Sequence, residues 1–435
     1  MLLKLKVNID QQTCLKATLK EPLTYVFEHL KEKKQYAASR RFDVKQADKA
    51  SSPKPIPVIG HYIASLHLYK PGRQFFLSWD LIVICLCGLL VYRPVTAADP
   101  IIAANAGKHL RDAAKFRFEM DNDIFFGSDN QYSNGLNFRI HSANYRDWQA
   151  MEGMPVWIKS VGANLPSLQG DGLVYRTGFS VGQVLNTPSD IKRETPIDND
   201  VPYVGLLAGQ ISWVAFNDRE FRGFEVTLGT IGRSSLGEQG QNIIHTLTGS
   251  EIAQGWDNQV GDELALNLNY MRKWKLGAPP PGQAQNWDIA FSGAAALGNV
   301  FTHLEAGLEF RIGDNLPGGF APMPELIGRT IGYDASLPPA ETNRRSLYGT
   351  VSASLVYYFH QLPLEGSIFS DKHGSYVDIL PLVGNANFGL HYETPRWGLH
   401  LNSVITTDTI DVDKLHNNED KKNRFLSFTV EWKIS

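Results

Sequence analysis

From residue 115 to the end of the chain, the dominant period of apolar positions is two. The clearest stretch is Leu304-Glu305-Ala306-Gly307-Leu308-Glu309-Phe310-Arg311-Ile312, where apolar residues alternate with charged or small ones. A strand of this kind keeps one face in lipid or core and the other in water. The alternation recurs at Phe116, Phe118 and Met120; at Leu136, Phe138 and Ile140; at Phe224, Val226 and Leu228; and at Leu264, Leu266, Leu268 and Tyr270. It returns at Val351, Ala353, Leu355, Tyr357 and Phe359, and at Ala386, Phe388, Leu390 and Tyr392. The last case is Leu426, Phe428, Val430, Trp432 and Ile434, interleaved with Ser427, Thr429, Glu431 and Lys433. The pattern predicts about twelve strands, near 115–123, 132–142, 173–185, 203–215, 221–232, 262–273, 286–297, 302–312, 347–360, 385–393, 397–406 and 424–434. An even number suits a closed transmembrane antiparallel β-barrel, an all-β fold. A soluble sandwich or lipocalin-like barrel alternates equally well and is the competing reading.

Residues 1–98 do not share this period. They begin with scattered basic residues, among them Lys31-Glu32-Lys33-Lys34 and Arg40-Arg41, and a proline-punctuated stretch from Pro53 to Pro57. Lys70 and Arg73 then precede an apolar block from Leu81 to Tyr92 and the small residues of Val95-Thr96-Ala97-Ala98. A positive flank, a short apolar core and a small-residue cleavage site make a secretory signal. The block is twelve residues long with Asp80 just before it, against roughly 20 for a helical span. The expected organisation is an extension over 1–70 outside the mature protein, from a start codon placed too early, a signal peptide over 71–98, and a barrel domain over 99–435. Export favours the membrane barrel, as does the closing strand. Bacterial outer-membrane barrels end on such an amphipathic strand with a terminal aromatic, here Trp432, three residues short of the end. The expected location is the bacterial outer membrane.

Composition agrees. The chain is 43% hydrophobic, 11% aromatic and 20% charged, with mean hydropathy −0.22. That is too polar for helical spans and too aromatic for disorder; a barrel averages this way because its two faces cancel. A net charge of −3 gives no electrostatic case for a nucleic-acid partner. The three cysteines are Cys14, Cys85 and Cys87, so the barrel region can hold neither a disulfide nor a cysteine-ligated metal.

Polar chemistry collects where the alternation breaks. The first strand ends in Asp121-Asn122-Asp123, and parity puts the Asn122 carboxamide on the apolar face of Phe118 and Met120, where it needs cover from headgroups or protein. Asp129-Asn130-Gln131-Tyr132-Ser133-Asn134-Gly135 opens the next strand and brings Ser133 near Asp123 across the hairpin. Between the strands near 232 and 262 lies a long loop with helical spacing from about Glu238 to Gly249. Gln241, His245 and Thr248 share one face of that helix with Ile244, Gly249 is its expected stop, and Glu251 follows. An imidazole, an amide and a carboxylate thus come from one extracellular loop. Loop histidines are commonly just solvated, and Asp-Asn-Asp beside a turn is also ordinary turn chemistry.

Taken together, these motifs carry a resemblance. Asp121-Asn122-Asp123, Tyr132-Ser133-Asn134-Gly135, Gly182-Gln183 before Thr187-Pro188, Asp200-Val201-Pro202-Tyr203, and Gly229-Thr230-Ile231-Gly232 leading to Gly237, His245 and Glu251 occur in this order. Over residues 115–435, with the stretch Trp256 to Gln259 included, the chain resembles the outer-membrane lipid A 3′-O-deacylase (LpxR-type) family. The resemblance implies a twelve-stranded barrel with its active site between the outer wall and the loop helix. It also implies chemistry like that of calcium-dependent secreted phospholipases, in which a histidine activates water and Ca²⁺ stabilises the oxyanion. Carried over, His245 is the base, with Asn122, Asp123, Ser133, Gln241 and Glu251 around it. Hard oxygen ligands suit calcium, so Asp123 and Glu251, with Asn122 or backbone carbonyls, are the expected metal ligands. The substrate would be lipid A of lipopolysaccharide among outer-membrane lipids, its phosphates paired with Lys192 or Arg193, or with Arg222. Two positions depart from the family. Val201 stands where arginine is common, and Ser133 where threonine also occurs. Two other functions share the barrel: a passive outer-membrane pore, and a serine-type phospholipase with Ser133 activated by His245.

Overall fold

The computed structural model describes residues 114–123, 131–279, 285–324, 326–369, 377–411 and 421–434. The expected extension, signal peptide and cleavage site lie outside the described residues.

Alternation produces twelve long strands. They are β1 (Ala114–Asn122), β2 (Gln131–His141), β3 (Val174–Thr187), β4 (Val204–Phe216), β5 (Glu220–Ile231), β6 (Glu263–Gly277), β7 (Trp287–Gly298), β8 (Phe301–Asp314), β11 (Ser346–Gln361), β12 (Leu382–Glu393), β13 (Trp397–Asp408) and β14 (Lys422–Ile434). Two short strands, β9 (Gly318–Phe320) and β10 (Ala335–Leu337), pair with each other between β8 and β11. The long strands form one closed antiparallel barrel in chain order, sealed where β1 meets β14 from Ala114↔Ile434 to Asn122↔Leu426. Closure leaves no free sheet edge, the condition for strands to lie in a bilayer. Each strand expected from periodicity falls on an observed one, with ends displaced by at most four residues.

The two faces separate by parity. Phe138, Val181, Leu228, Leu266, Leu308, Val351, Phe388, Leu401 and Phe428 are exposed on the outside. Lys115, Arg117, Arg139, Glu225, Asn267, Arg311 and Glu431 are buried on the inside. The interior charges are paired: Arg139 with Glu225 at 3.0 Å, Arg117 with Glu431 at 2.8 Å, and Lys273 with Glu309 at 2.7 Å. Among the described residues no helix is long and apolar enough to cross a membrane; the strands cross instead.

The interior is filled. The segment 315–345, which carries β9 and β10, folds back between the strands as a plug. Arg117 donates to the Tyr333 carbonyl and Arg139 to that of Gly332, at 3.1 and 2.7 Å. Lys115 lies 2.7 Å from the Asp334 carboxylate, which Arg176 also engages. Phe320, Ile331, Tyr333 and Ala335 pack against Val214, Phe216 and Phe221 of the wall. Such a filled interior is not the water-lined lumen that a passive pore requires.

Among the described residues three α-helices lie in the connections: α1 (Val156–Asn164) between β2 and β3, α2 (Gly237–Thr248) between β5 and β6, and α3 (Leu362–Glu365) after β11. Periodicity alone assigned no element between residues 142 and 173. α1 has nine residues and only Ile158 and Gly162 buried, too short an apolar stripe to stand out in sequence. α2 matches its expected span within one residue, and Gly249 closes it in the left-handed conformation at φ 74°.

Candidate active site on the outer wall

The site begins at the tip of the hairpin formed by β1 and β2. Asn122 continues the outward row of Phe116, Phe118 and Met120, while Asp121 faces inward and accepts a 2.7 Å hydrogen bond from the Tyr132 hydroxyl. The ladder ends at Asn122↔Asn134, so Asp123 and Ser133 follow it on opposite strands. Asp123 is buried. A register shift between Tyr132 and Asn134 places a bulge at Ser133 and breaks the parity that would turn its side chain inward. The Ser133 hydroxyl lies 2.5 Å from Thr187 Oγ1 and 3.5 Å from the Gln131 carbonyl.

Thr187 ends β3, whose outward residues lead to α2. Gln183 donates from Nε2 to the carbonyls of Ser235 and Leu236, at 2.7 and 3.1 Å, and so holds the start of the helix to the wall. Gly240 faces the same amide; a Cβ there would collide with Gln183 Oε1. Beneath the loops a small apolar cluster of Leu185, Ile191, Tyr203, Ala253 and Trp256 glues them to the barrel exterior. The Trp256 indole donates to Gln241 Oε1 at 2.6 Å, and Gln241 is 2% exposed.

His245 lies one turn after Gln241. Its Nδ1 meets the backbone carbonyl of Glu251. A carbonyl can only accept, so Nδ1 carries the proton and the imidazole lone pair is on Nε2. The Glu251 side chain turns the other way, onto Lys192, with Nζ 2.6 Å from Oε1 and both groups about two-thirds exposed. That hydrogen bond, with the adjacent negative charge, raises the Lys192 pKa above the ordinary lysine value.

The neighbouring loop is organised by Asp200. Its carboxylate accepts from Ser189 N and Oγ at 3.0 and 2.6 Å and from Val201 N at 2.7 Å. Val201 is buried among Leu364, Val377 and Ile410, so the residue that departs from the family pattern sits in an apolar contact, away from solvent. Arg193 donates to Thr195 Oγ1 at 3.3 Å within the same exposed loop. Arg222 is a correction. It lies near the start of β5, at the end of the barrel opposite α2, where its guanidinium donates to the Ser167 and Gln169 carbonyls at 2.7 and 2.9 Å and pairs with Glu220. It cannot serve a site at the α2 end.

The structure therefore brings His245, Glu251 and Lys192 together on one loop surface, and places Asn122 and Ser133 on the same outer face two strands away, joined through Thr187 and β3, with Asp123 buried just past the end of β1. Gln241 sits under the helix, with Trp256 as its partner. Sequence reasoning assigned no role to Thr187, Asp200 or Trp256. Each stood within a quoted motif, which was the available signal. Oxygen donors at the strand tip, the Asp123 carboxylate, the Asn122 amide and the Ser133 hydroxyl, fit the hard-ligand chemistry of calcium. Glu251 joins such a set only on giving up Lys192, and among the described residues no cluster of three His, Cys, Asp or Glu side chains forms a metal cage.

A closed antiparallel barrel plugged inside, with a loop helix packed on its exterior, is the architecture of an outer-membrane barrel protein. Within that class the chain belongs to the LpxR family, whose model, described as Outer membrane protein LpxR, matches residues 82–434. Its location is accordingly the bacterial outer membrane. LpxR from Salmonella typhimurium is a similar solved structure, with a TM-score of 0.54 and 14% identity over 73% of this chain and 99% of that chain. The β domain of the Bordetella autotransporter BrkA follows with a TM-score of 0.35 and 10% identity over 74% of this chain and 97% of that one. At such identities the likeness is one of fold. No curated protein matches the chain in sequence.

Proposed function

We propose that this chain is a carboxylic ester hydrolase that removes a 3′-linked acyl or acyloxyacyl chain from lipid A in the outer leaflet. Membership of the LpxR family supports the coarser reading of an outer-membrane protein that modifies lipid A. The observation that carries the finer one is His245, whose Nδ1 is engaged by the Glu251 carbonyl at the exterior of the wall.

In this reading His245 Nε2 accepts a proton from the water that attacks the ester carbonyl. Asn122, Asp123 and Ser133 would hold calcium, and Glu251 would join them on leaving Lys192. Bound there, Ca²⁺ would polarise the ester carbonyl and stabilise the oxyanion. Lys192, thus released, and Arg193 pair with lipid phosphates. Gln241, fixed by Trp256, braces the helix that carries His245. Because the site lies outside the barrel, the ester is met without extracting the lipid from its leaflet.

A serine-type mechanism has less support. The hydrogen bonds of Ser133 run to Thr187 and Gln131 rather than to an imidazole. Ser133→Ala is expected to retain part of the turnover; complete loss with intact folding would favour the serine enzyme. Mass spectrometry of lipid A from cells with and without the protein is the primary test. Loss of a 3′-linked acyl group is the expected result, and an unchanged profile with exported, folded protein overturns the proposal. Chelation should abolish turnover and added Ca²⁺ restore it.

A further inference from the structure

The end of the barrel opposite α2 carries a second feature on its outer wall. Residues 145–170, which include α1, fold back over β3 to β6 as an apron. Its inner side is apolar: Trp148, Met151, Ile158 and Leu168 pack against Tyr175, Trp213, Phe224 and Tyr270. Directed bonds fix it there. Trp213 Nε1 donates to the Ile158 carbonyl at 3.0 Å, Tyr270 Oη lies 2.9 Å from Ser167 Oγ, and Arg222 donates to two apron carbonyls.

The height of the apron follows from strand register. One rung of outward residues runs Ile140, Phe179, Ile211, Val226, Leu268 across β2 to β6. Its two ends, Ile140 and Leu268, are 51% and 45% exposed and belong to the lipid-facing band. The next outward rung on β3 to β6 is Thr177, Trp213, Phe224, Tyr270, and the apron covers it. The covered wall also holds Arg222 and Arg272, both buried and paired with Glu220. Guanidinium groups on a lipid-facing wall are costly without cover. The apron supplies that cover and presents its own surface in exchange: at the start of α1, Val156 is 78% and Trp157 54% exposed.

We infer that the apron is a lipid-docking element, with Val156 and Trp157 inserted at the boundary between phospholipid headgroups and acyl chains at the barrel end opposite α2. The partner is a glycerophospholipid of that leaflet. Continuity with the lipid-facing band sets the depth, and an exposed tryptophan beside a short helix is the chemistry of the bilayer interface. Arg146, exposed, and Lys159, whose Nζ donates to the Gln149 carbonyl at 3.3 Å, lie on the same apron.

The barrel region contains no cysteine, so single spin labels can be placed after Cys14, Cys85 and Cys87 are changed to serine. Labels at Val156→Cys, at the lipid-facing Val181→Cys and at the exposed loop position Asp257→Cys are compared in phosphatidylethanolamine and phosphatidylglycerol bilayers. The expected result is that oxygen exceeds a nickel chelate as relaxant at Val156, as at Val181, by several-fold over the ratio at Asp257. A Val156 label relaxed like that at Asp257 overturns the inference. Brominated acyl chains give an independent readout: Trp157→Phe should remove part of the quenchable fluorescence, and an unchanged quenched fraction would likewise count against lipid contact.

Discussion

Gln241 and Lys192 show how differently two polar residues of neighbouring loops are held. Gln241 is buried, with the Trp256 indole as donor to its carbonyl oxygen. Trp256→Phe keeps most of the ring volume and deletes that donor. A buried acceptor left unmade costs about 1–3 kcal/mol, so the variant is expected to lower turnover on lipid A while the barrel still folds, as judged by heat-modifiable gel mobility. Lys192 is exposed, and its ammonium is favoured by Glu251. A group whose folded pKa is raised keeps its pairing below the ordinary lysine range and loses it as pH rises through the raised value. Lys192→Ala should raise KM for lipid A more than it lowers kcat, with the difference shrinking at high salt; an effect confined to kcat would argue against phosphate binding. The place of His245 on the loop helix was legible because Gln241 and His245 keep helical spacing, while its expected role came from the family resemblance. The His245 Nδ1 partner was not legible, since a backbone carbonyl, here that of Glu251, leaves no mark in the spacing of side chains.

At the level of elements, helix and wall depend on a close approach. Gly240 is placed where any side chain would strike Gln183, the residue that pins the start of α2. Gly240→Val is expected to push the Gln183 amide off the Ser235 and Leu236 carbonyls and so to loosen the start of α2 and reduce turnover, with the heat-modifiable gel shift of the closed barrel retained. Loss of that shift would show that the helix is needed for folding and not only for the site. The β2 bulge works at the same scale. Without it, strict alternation would send Ser133 inward, toward the face used by Tyr132 and Asp121. Alternation made the strands legible, including the outward position of Asn122, and helical spacing made α2 so. The bulge was invisible to it, because an extra residue is recorded only in the pairing with β3, and α1 was missed because two buried positions make no period.

Over the whole molecule, the plug decides what the barrel can be. Asp334 is its ionic anchor. Burial alone would raise its carboxyl, but the surrounding cations of Arg176, Lys115 and Arg117 outweigh that and hold it well below the usual carboxylate range. A depressed folded pKa contributes stability above the unfolded value, about 3.9, and loses it only as pH falls through the lower native one. The plug should therefore stay seated down to about pH 4. Asp334→Asn removes the carboxylate shared by Lys115 and Arg176, a loss of about 3–5 kcal/mol, and is expected to lower Tm and to raise ion conductance in planar bilayers. A silent variant with unchanged Tm would remove the anchor role. Segment 315–345 gave no sequence signal for the plug because it is rich in Gly and Pro and has no period to read. Parity then has a consequence for how the protein can change. Successive residues of one strand answer to separate demands, one set to plug and charge pairs, the other to lipid and substrate, so substrate preference could drift through alternate positions without disturbing the interior. Ser133, where the count slips by one, is the point at which those two lineages of substitution would meet.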